Sequence, residues 1–190
     1  TLVMNLEERR FQSLHFWRAI SRKGYLDQQG KPQPEGFTIP MVEPTSPVIT
    51  LVPGKSKGRL TGGNLALIAA TMGTPYEVET EGAILFLEDI HEAPYRIDRM
   101  LSTMELAGKF DNLKGVVLGL FRGCEREDPE TELSLQQVFD HYFAERDYPV
   151  VRDFPVGHVI ENVTLPVGVR AELDADKGTI KLLENPITLN

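Results

Sequence analysis

Cys124 is the single cysteine among 190 residues. That excludes an internal disulfide and a thiolate metal cluster, and it fits a reducing compartment. Positive charge is also scarce: 20 Lys plus Arg stand against 28 Asp plus Glu, a net charge of -8, which argues against a nucleic-acid surface. No apolar run nears the roughly 20 residues that a membrane helix needs. The N-terminus has no basic-then-apolar secretory layout. Four chemical signatures are missing as well: a Gly-x-Ser-x-Gly elbow, a phosphate loop, a Gly-x-Gly-x-x-Gly turn and a His-Glu-x-x-His pair. What remains, at 41% hydrophobic and 25% charged residues, is the composition of a folded globular domain.

The apolar pattern divides the chain into short elements. Asn5 to Ser21 reads as a helix, capped by Asn5 and Glu8 and striped by Phe11, Leu14, Trp17 and Ile20. Its aromatic residues lie on more than one face, which suits packing against a further domain or a second copy in a homodimer. Asp27 to Gly36 reads as a loop. Phe37 to Val42 and Val48 to Val52 read as strands. Gly54 to Gly63 reads as a basic, glycine-bearing loop before a short helix from Asn64 to Met72. Ala83 to Leu87 and Val116 to Phe121 are continuous apolar runs of buried-strand length. Between them Pro94 opens a helix carrying Ile97, Leu101 and Met104, with Gly108 as its stop. Ser134 caps a helix through Phe143, and short strands follow around Val150, Val169 and Ile180. The expectation is one α/β (or α+β) domain over 1–190 with a mixed sheet, a leading helix and loop over 1–36 and a core over 37–190.

Two places can carry chemistry. The strand Ile84-Leu85-Phe86-Leu87 ends abruptly in Glu88 and Asp89, which sets two acids at the rim of a sheet. Local pattern alone favours Asp89 as a turn cap and Glu88 as a solvated acid. His158 follows a Pro-x-Gly turn (Pro155, Val156, Gly157), where its ring can exchange protons near neutral pH. An acid and an imidazole are two of the three parts of a nucleophilic triad. No serine has the setting of the third: Ser13 and Ser102 lie within helices, Ser46 precedes Pro47, Ser56 sits in the basic loop and Ser134 is a cap. Cys124 is a weak alternative: Arg122 and Arg126 could activate its thiol, but a lone thiol is more often inert. Glu88, Asp89, His91 and Glu92 crowd four metal-ligand types together, but an extended strand end disperses them, so no metal is expected. The Gly62-Gly63 pair before a helix can admit an anion, although close backbone packing explains the glycines more simply.

Read in order, the segments Gly58-Arg59-Leu60-Thr61-Gly62-Gly63-Asn64-Leu65, Gly73-Thr74-Pro75-Tyr76, Ile84 to Asp89, Pro94 to Leu101, Gly157-His158 and Leu165-Pro166-Val167-Gly168 resemble the C-terminal domain of the LD-carboxypeptidase family. These are serine peptidases that include the microcin-immunity peptidases. The resemblance runs from about Asn5 to Leu183. It implies a swivelling β/β/α domain with a barrel-like sheet, and Glu88 and His158 as the acid and base of a Ser-His-Glu triad. It implies a nucleophile on a separate N-terminal domain that this chain does not contain, so the chain alone is expected to be inactive. It further implies release of terminal D-alanine from muropeptide tetrapeptides during peptidoglycan recycling in the cytoplasm, without metal or cofactor. Asp89 becomes a structural neighbour, Arg96 and Arg99 packing and ion-pairing residues, and Lys55, Lys57 and Arg59 possible partners for substrate carboxylates. The alternatives are cleavage of a peptide-nucleotide, a non-catalytic binding or assembly domain, and a metal-dependent hydrolase built on Glu88 to Glu92.

Overall fold

The computed structural model describes residues 38–40 and 44–184. The helix and loop expected over residues 5–36 lie outside them. Eight strands form one mixed sheet: β1 (Thr38–Ile39), β2 (Ile49–Val52), β3 (Lys55–Asn64), β4 (Ala83–Glu88), β5 (Gly115–Leu118), β6 (Val150–Arg152), β7 (Arg170–Asp174) and β8 (Thr179–Leu182). Three helices intervene: α1 (Leu65–Ala70), α2 (Pro94–Leu106) and α3 (Leu135–Phe143). The spatial order is β1-β8-β7-β3-β4-β5-β6-β2. β3, β4, β5 and β6 run parallel, and the outer pairings are antiparallel. The α/β expectation and the barrel-like sheet both hold.

Strand periodicity sorts the core into two. Successive side chains leave a strand on opposite faces. Ala83, Leu85 and Leu87 of β4, Val116 and Leu118 of β5 and Val150 of β6 pack with α2 and α3. Ile84 and Phe86, Val117 and Val151 point the other way, onto Leu60, Ala171, Leu173, Ile180 and Leu182. Both faces are covered, so the parallel strands read as unbroken apolar runs. The second core is the hollow of a curl. β1 and β2 stand at opposite edges of the sheet, yet the Thr50 hydroxyl donates to the Ala175 carbonyl at 2.6 Å, and Gly178 in the β7–β8 turn lies against Val48.

The helices are fixed by their ends and one face. Pro94 occupies the first turn of α2, and Ile97, Leu101 and Met104 are fully buried. Ser134 and Gln137 form a reciprocal capping box on α3. The Tyr142 hydroxyl of α3 donates to Asp98 of α2 at 2.9 Å; burial, then that carboxylate, pushes the phenol up to about 12.

One expectation fails. Residues 54–63 are not a loop: β3 is the longest strand and lies centrally, between β7 and β4. Its charged residues take alternate positions, and the two lysines pair across the antiparallel neighbour, Lys55 with Asp174 at 2.8 Å and Lys57 with Glu172 at 3.2 Å. Polar alternation on a partly solvated pair imitates a loop when no partner strand is in view.

Packing on the helical face sets a simple contrast in stability. Leu101→Ala is expected to cost about 2–5 kcal/mol, because Leu101 is fully buried. Leu67→Ala on α1, where the side chain is 70% exposed, should stay within about 0.5 kcal/mol. Urea unfolding of the two variants measures the difference, and equal losses would contradict the assignment of the core.

Candidate active site

The site forms where the parallel strands end, the edge at which open α/β sheets usually hold ligands. Glu88 is the last residue of β4. By parity it falls on the face of Ile84 and Phe86, turned away from the helices. It is buried, with 6% of its surface exposed, and its Oε2 lies 2.8 Å from Nδ1 of His158. The two residues are 70 positions apart in sequence, and the fold brings them together. The imidazole itself is half exposed. Among the described residues no other hydrogen bond to the ring is seen, which leaves Nε2 for an outside group.

Two glycines make room for the carboxylate. A Cβ on Gly157 would stand 2.8 Å from Glu88 Oε2, and its φ of 127° disfavours any side chain. A Cβ on Gly119 would stand 2.5 Å from the Val156 carbonyl oxygen and 3.1 Å from Glu88 Cβ. Around the pair is an open cleft of about 390 Å³, walled by Gly63, Phe86, Val156, Asn162, Val163 and Leu165 beside Glu88 and His158. Its wall is mostly apolar or backbone, with the acid and the imidazole as its ionisable groups.

Asp89 leaves the strand on the opposite side. It is buried and accepts from the Ala66 amide at 2.9 Å, the Asn64 side-chain amide at 3.0 Å and its neighbour Ile90 at 2.8 Å. It thus ties the first turn of α1 to the end of β4. This fills the position that the sequence offered to an anion beside Gly62 and Gly63: the carboxylate comes from the chain itself. Because Glu88 and Asp89 diverge, the acids at the end of β4 do not share a metal centre. Among the described residues no group of three His, Cys, Asp or Glu gathers.

Other candidates resolve into structural roles. The Cys124 thiol is fully buried. Burial first, then the nearby Asp89, Glu125 and Glu92 carboxylates, pushes its pKa up, the opposite of the activation that Arg122 and Arg126 suggested. Lys55 and Lys57 are engaged with Asp174 and Glu172, and an Arg59 guanidinium nitrogen donates to the Gly168 carbonyl at 2.7 Å. None of these three lines the cleft. Arg96 pairs with Glu92 and the Tyr95 hydroxyl on the surface of α2. Asn162 escaped sequence reasoning although it lines the cleft, because a lone Asn in a loop carries no pattern of its own.

Residues 57–173 match the profile of the LD-carboxypeptidase C-terminal domain. The chain belongs to the LD-carboxypeptidase family. Within that family it is 41% identical over 137 residues to the probable murein peptide carboxypeptidase of Bacillus subtilis, covering 72% of this chain and 43% of that protein. It is 33% identical to the microcin C7 self-immunity protein MccF of Escherichia coli, over 69% of this chain and 38% of that one. The crystal structure of a muramoyltetrapeptide carboxypeptidase from Oxalobacter formigenes matches with a TM-score of 0.62 at 36% identity, over 73% of this chain and 50% of that chain. The structure of MccF with glutamyl sulfamoyl guanosine matches with a TM-score of 0.66 at 26% identity, over 74% of this chain and 42% of that chain. This LD-carboxypeptidase domain therefore spans less than half the length of the curated relatives it matches here.

The two adjacent acids should separate by experiment. Asp89→Ala strands three donors, two of them backbone amides, and should cost about 1–3 kcal/mol in chemical denaturation. An unchanged unfolding midpoint would contradict its role at the junction of β4 and α1.

Proposed function

We propose that this domain gives a serine carboxypeptidase the base and the steering acid of its Ser-His-Glu triad. The enzyme releases terminal D-alanine from muropeptide tetrapeptides in peptidoglycan recycling. The observation that carries the reading is the 2.8 Å contact between a buried carboxylate and a ring at the mouth of a cleft. Glu88 accepts the Nδ1 proton of His158, which fixes the tautomer that leaves the Nε2 lone pair facing an incoming hydroxyl. Nε2 takes the serine proton as the oxygen attacks the scissile carbonyl, and Glu88 stabilises the imidazolium that results. The imidazolium returns the proton to the leaving D-alanine amine. In the second half His158 activates water against the acyl-enzyme.

The serine and the oxyanion donors come from an N-terminal domain beyond this chain, and the chain over 1–190 acts as the single partner domain. By itself it has no acyl-enzyme route. The reaction needs no metal or cofactor from this domain, and its setting is the cytoplasm. The murein reading is favoured over cleavage of a peptide-nucleotide by the higher identity to the Bacillus protein, 41% against 33% for MccF.

Joining the domain to its upstream segment and assaying D-alanine release from tetrapeptide tests the reading. A peptide-nucleotide offered in parallel tests its rival. His158→Ala should lower kcat by on the order of 10⁴-fold or more with the fold intact by circular dichroism. Full activity of that variant would end the triad assignment, and preference for the peptide-nucleotide would replace the substrate.

A further inference from the structure

The His158 ring is half exposed, and its one side-chain bond among the described residues, to Glu88, does not by itself fix the backbone that carries it. The segment after β6 is held in place by a few bonds. The Phe154 amide donates to Leu118 at 3.1 Å, and the Leu120 amide donates to Val156 at 3.0 Å, which moors the segment's first half to the end of β5. The Val163 amide donates to Pro155 at 2.8 Å and closes a loop whose base is residues 155 and 163. Inside that loop both polar groups of Gly157 are engaged. Its carbonyl accepts from Val159 at 2.9 Å, a three-residue turn with His158 at its apex. Its amide donates to the Oδ1 of Asn162 at 3.1 Å. The adjoining Glu161 carboxylate accepts from the Thr45 amide and hydroxyl at 2.8 and 2.7 Å, fastening the loop's far side to the segment before β2.

We infer that Asn162 is a positioning residue for His158, acting through the Gly157 amide and resting on the triad reading above. Gly157 at φ 127° has few steric limits of its own, and it packs against Glu88. The Asn162 oxygen is the side-chain bond that stops this permissive residue from turning. If Gly157 turns, Nδ1 swings off Oε2. The role requires an acceptor in a short side chain: Asp supplies one, Ala does not. Misplacement of a base by about 1 Å can cost about 100-fold in rate.

The test has two parts. In the 190-residue chain, proton NMR follows the His158 Nδ1 proton, identified by its loss in His158→Ala. Asn162→Ala should broaden or erase this resonance while the other amide signals stay dispersed, and Asn162→Asp should restore it. In the protein carrying the serine domain, Asn162→Ala should lower kcat by about 10–100-fold with KM within about twofold, and Asn162→Asp should recover most of kcat. Assays run below the melting temperature of every variant, so lost fold is not read as lost rate. A retained resonance with wild-type kcat in Asn162→Ala would overturn the inference and leave the triad standing, provided His158→Ala is dead. Loss through KM alone, or an Asp variant no better than Ala, would also overturn it. An active His158→Ala would remove the triad reading and this inference together.

Discussion

The end of β4 depends on a rule of strand geometry, that neighbouring side chains leave on opposite faces. Glu88 and Asp89 are adjacent carboxylates, and the alternation sends them to different tasks. Asp89 goes to the helical side and binds the first turn of α1. Glu88 goes to the curled side, where His158 meets it. A one-residue slip of β4 would exchange them and carry Leu85 and Leu87 out of the helical core at the same moment. The packing of the two cores therefore holds the chemical register of the site.

The same geometry explains why the site is so sparing of side chains. Glu88 is enclosed by backbone at Gly119 and Gly157, so the carboxylate is shielded from water by groups that bring no side chain of their own. The opening is left to the exposed imidazole. On the triad reading proposed above, a base that serves a hydroxyl from another domain has to stand at a surface, and its acid must be held more firmly than the base. The structure divides these demands: a buried acid on a central strand, and a short loop tied down at both flanks.

Much of this was legible in the sequence, for identifiable reasons. Strands β4 and β5 show as apolar runs because both of their faces are covered, and α3 shows through the Ser134 cap and its buried face. β3 was not legible. Lys55, Lys57 and Arg59 alternate with small residues, and only Asp174 and Glu172 of β7, facing the two lysines, reveal the stretch as a strand. Cys124 is inert, as a lone thiol usually is, because burial governs it rather than the arginines nearby in sequence. The Glu88–His158 pair was reached through the ordered family motifs, since a separation of 70 residues carries no distance. Asn162 was invisible, because its role lies in one bond to a backbone amide.

If Glu88 and His158 act as one unit, a double-mutant cycle on kcat/KM in the protein that carries the proposed serine domain will show it. With His158→Ala already in place, Glu88→Gln should cost no more than about twofold further, since an acid that works only through the imidazole has nothing left to steer. Losses that multiply in the double variant would mean that the acid and the imidazole work independently.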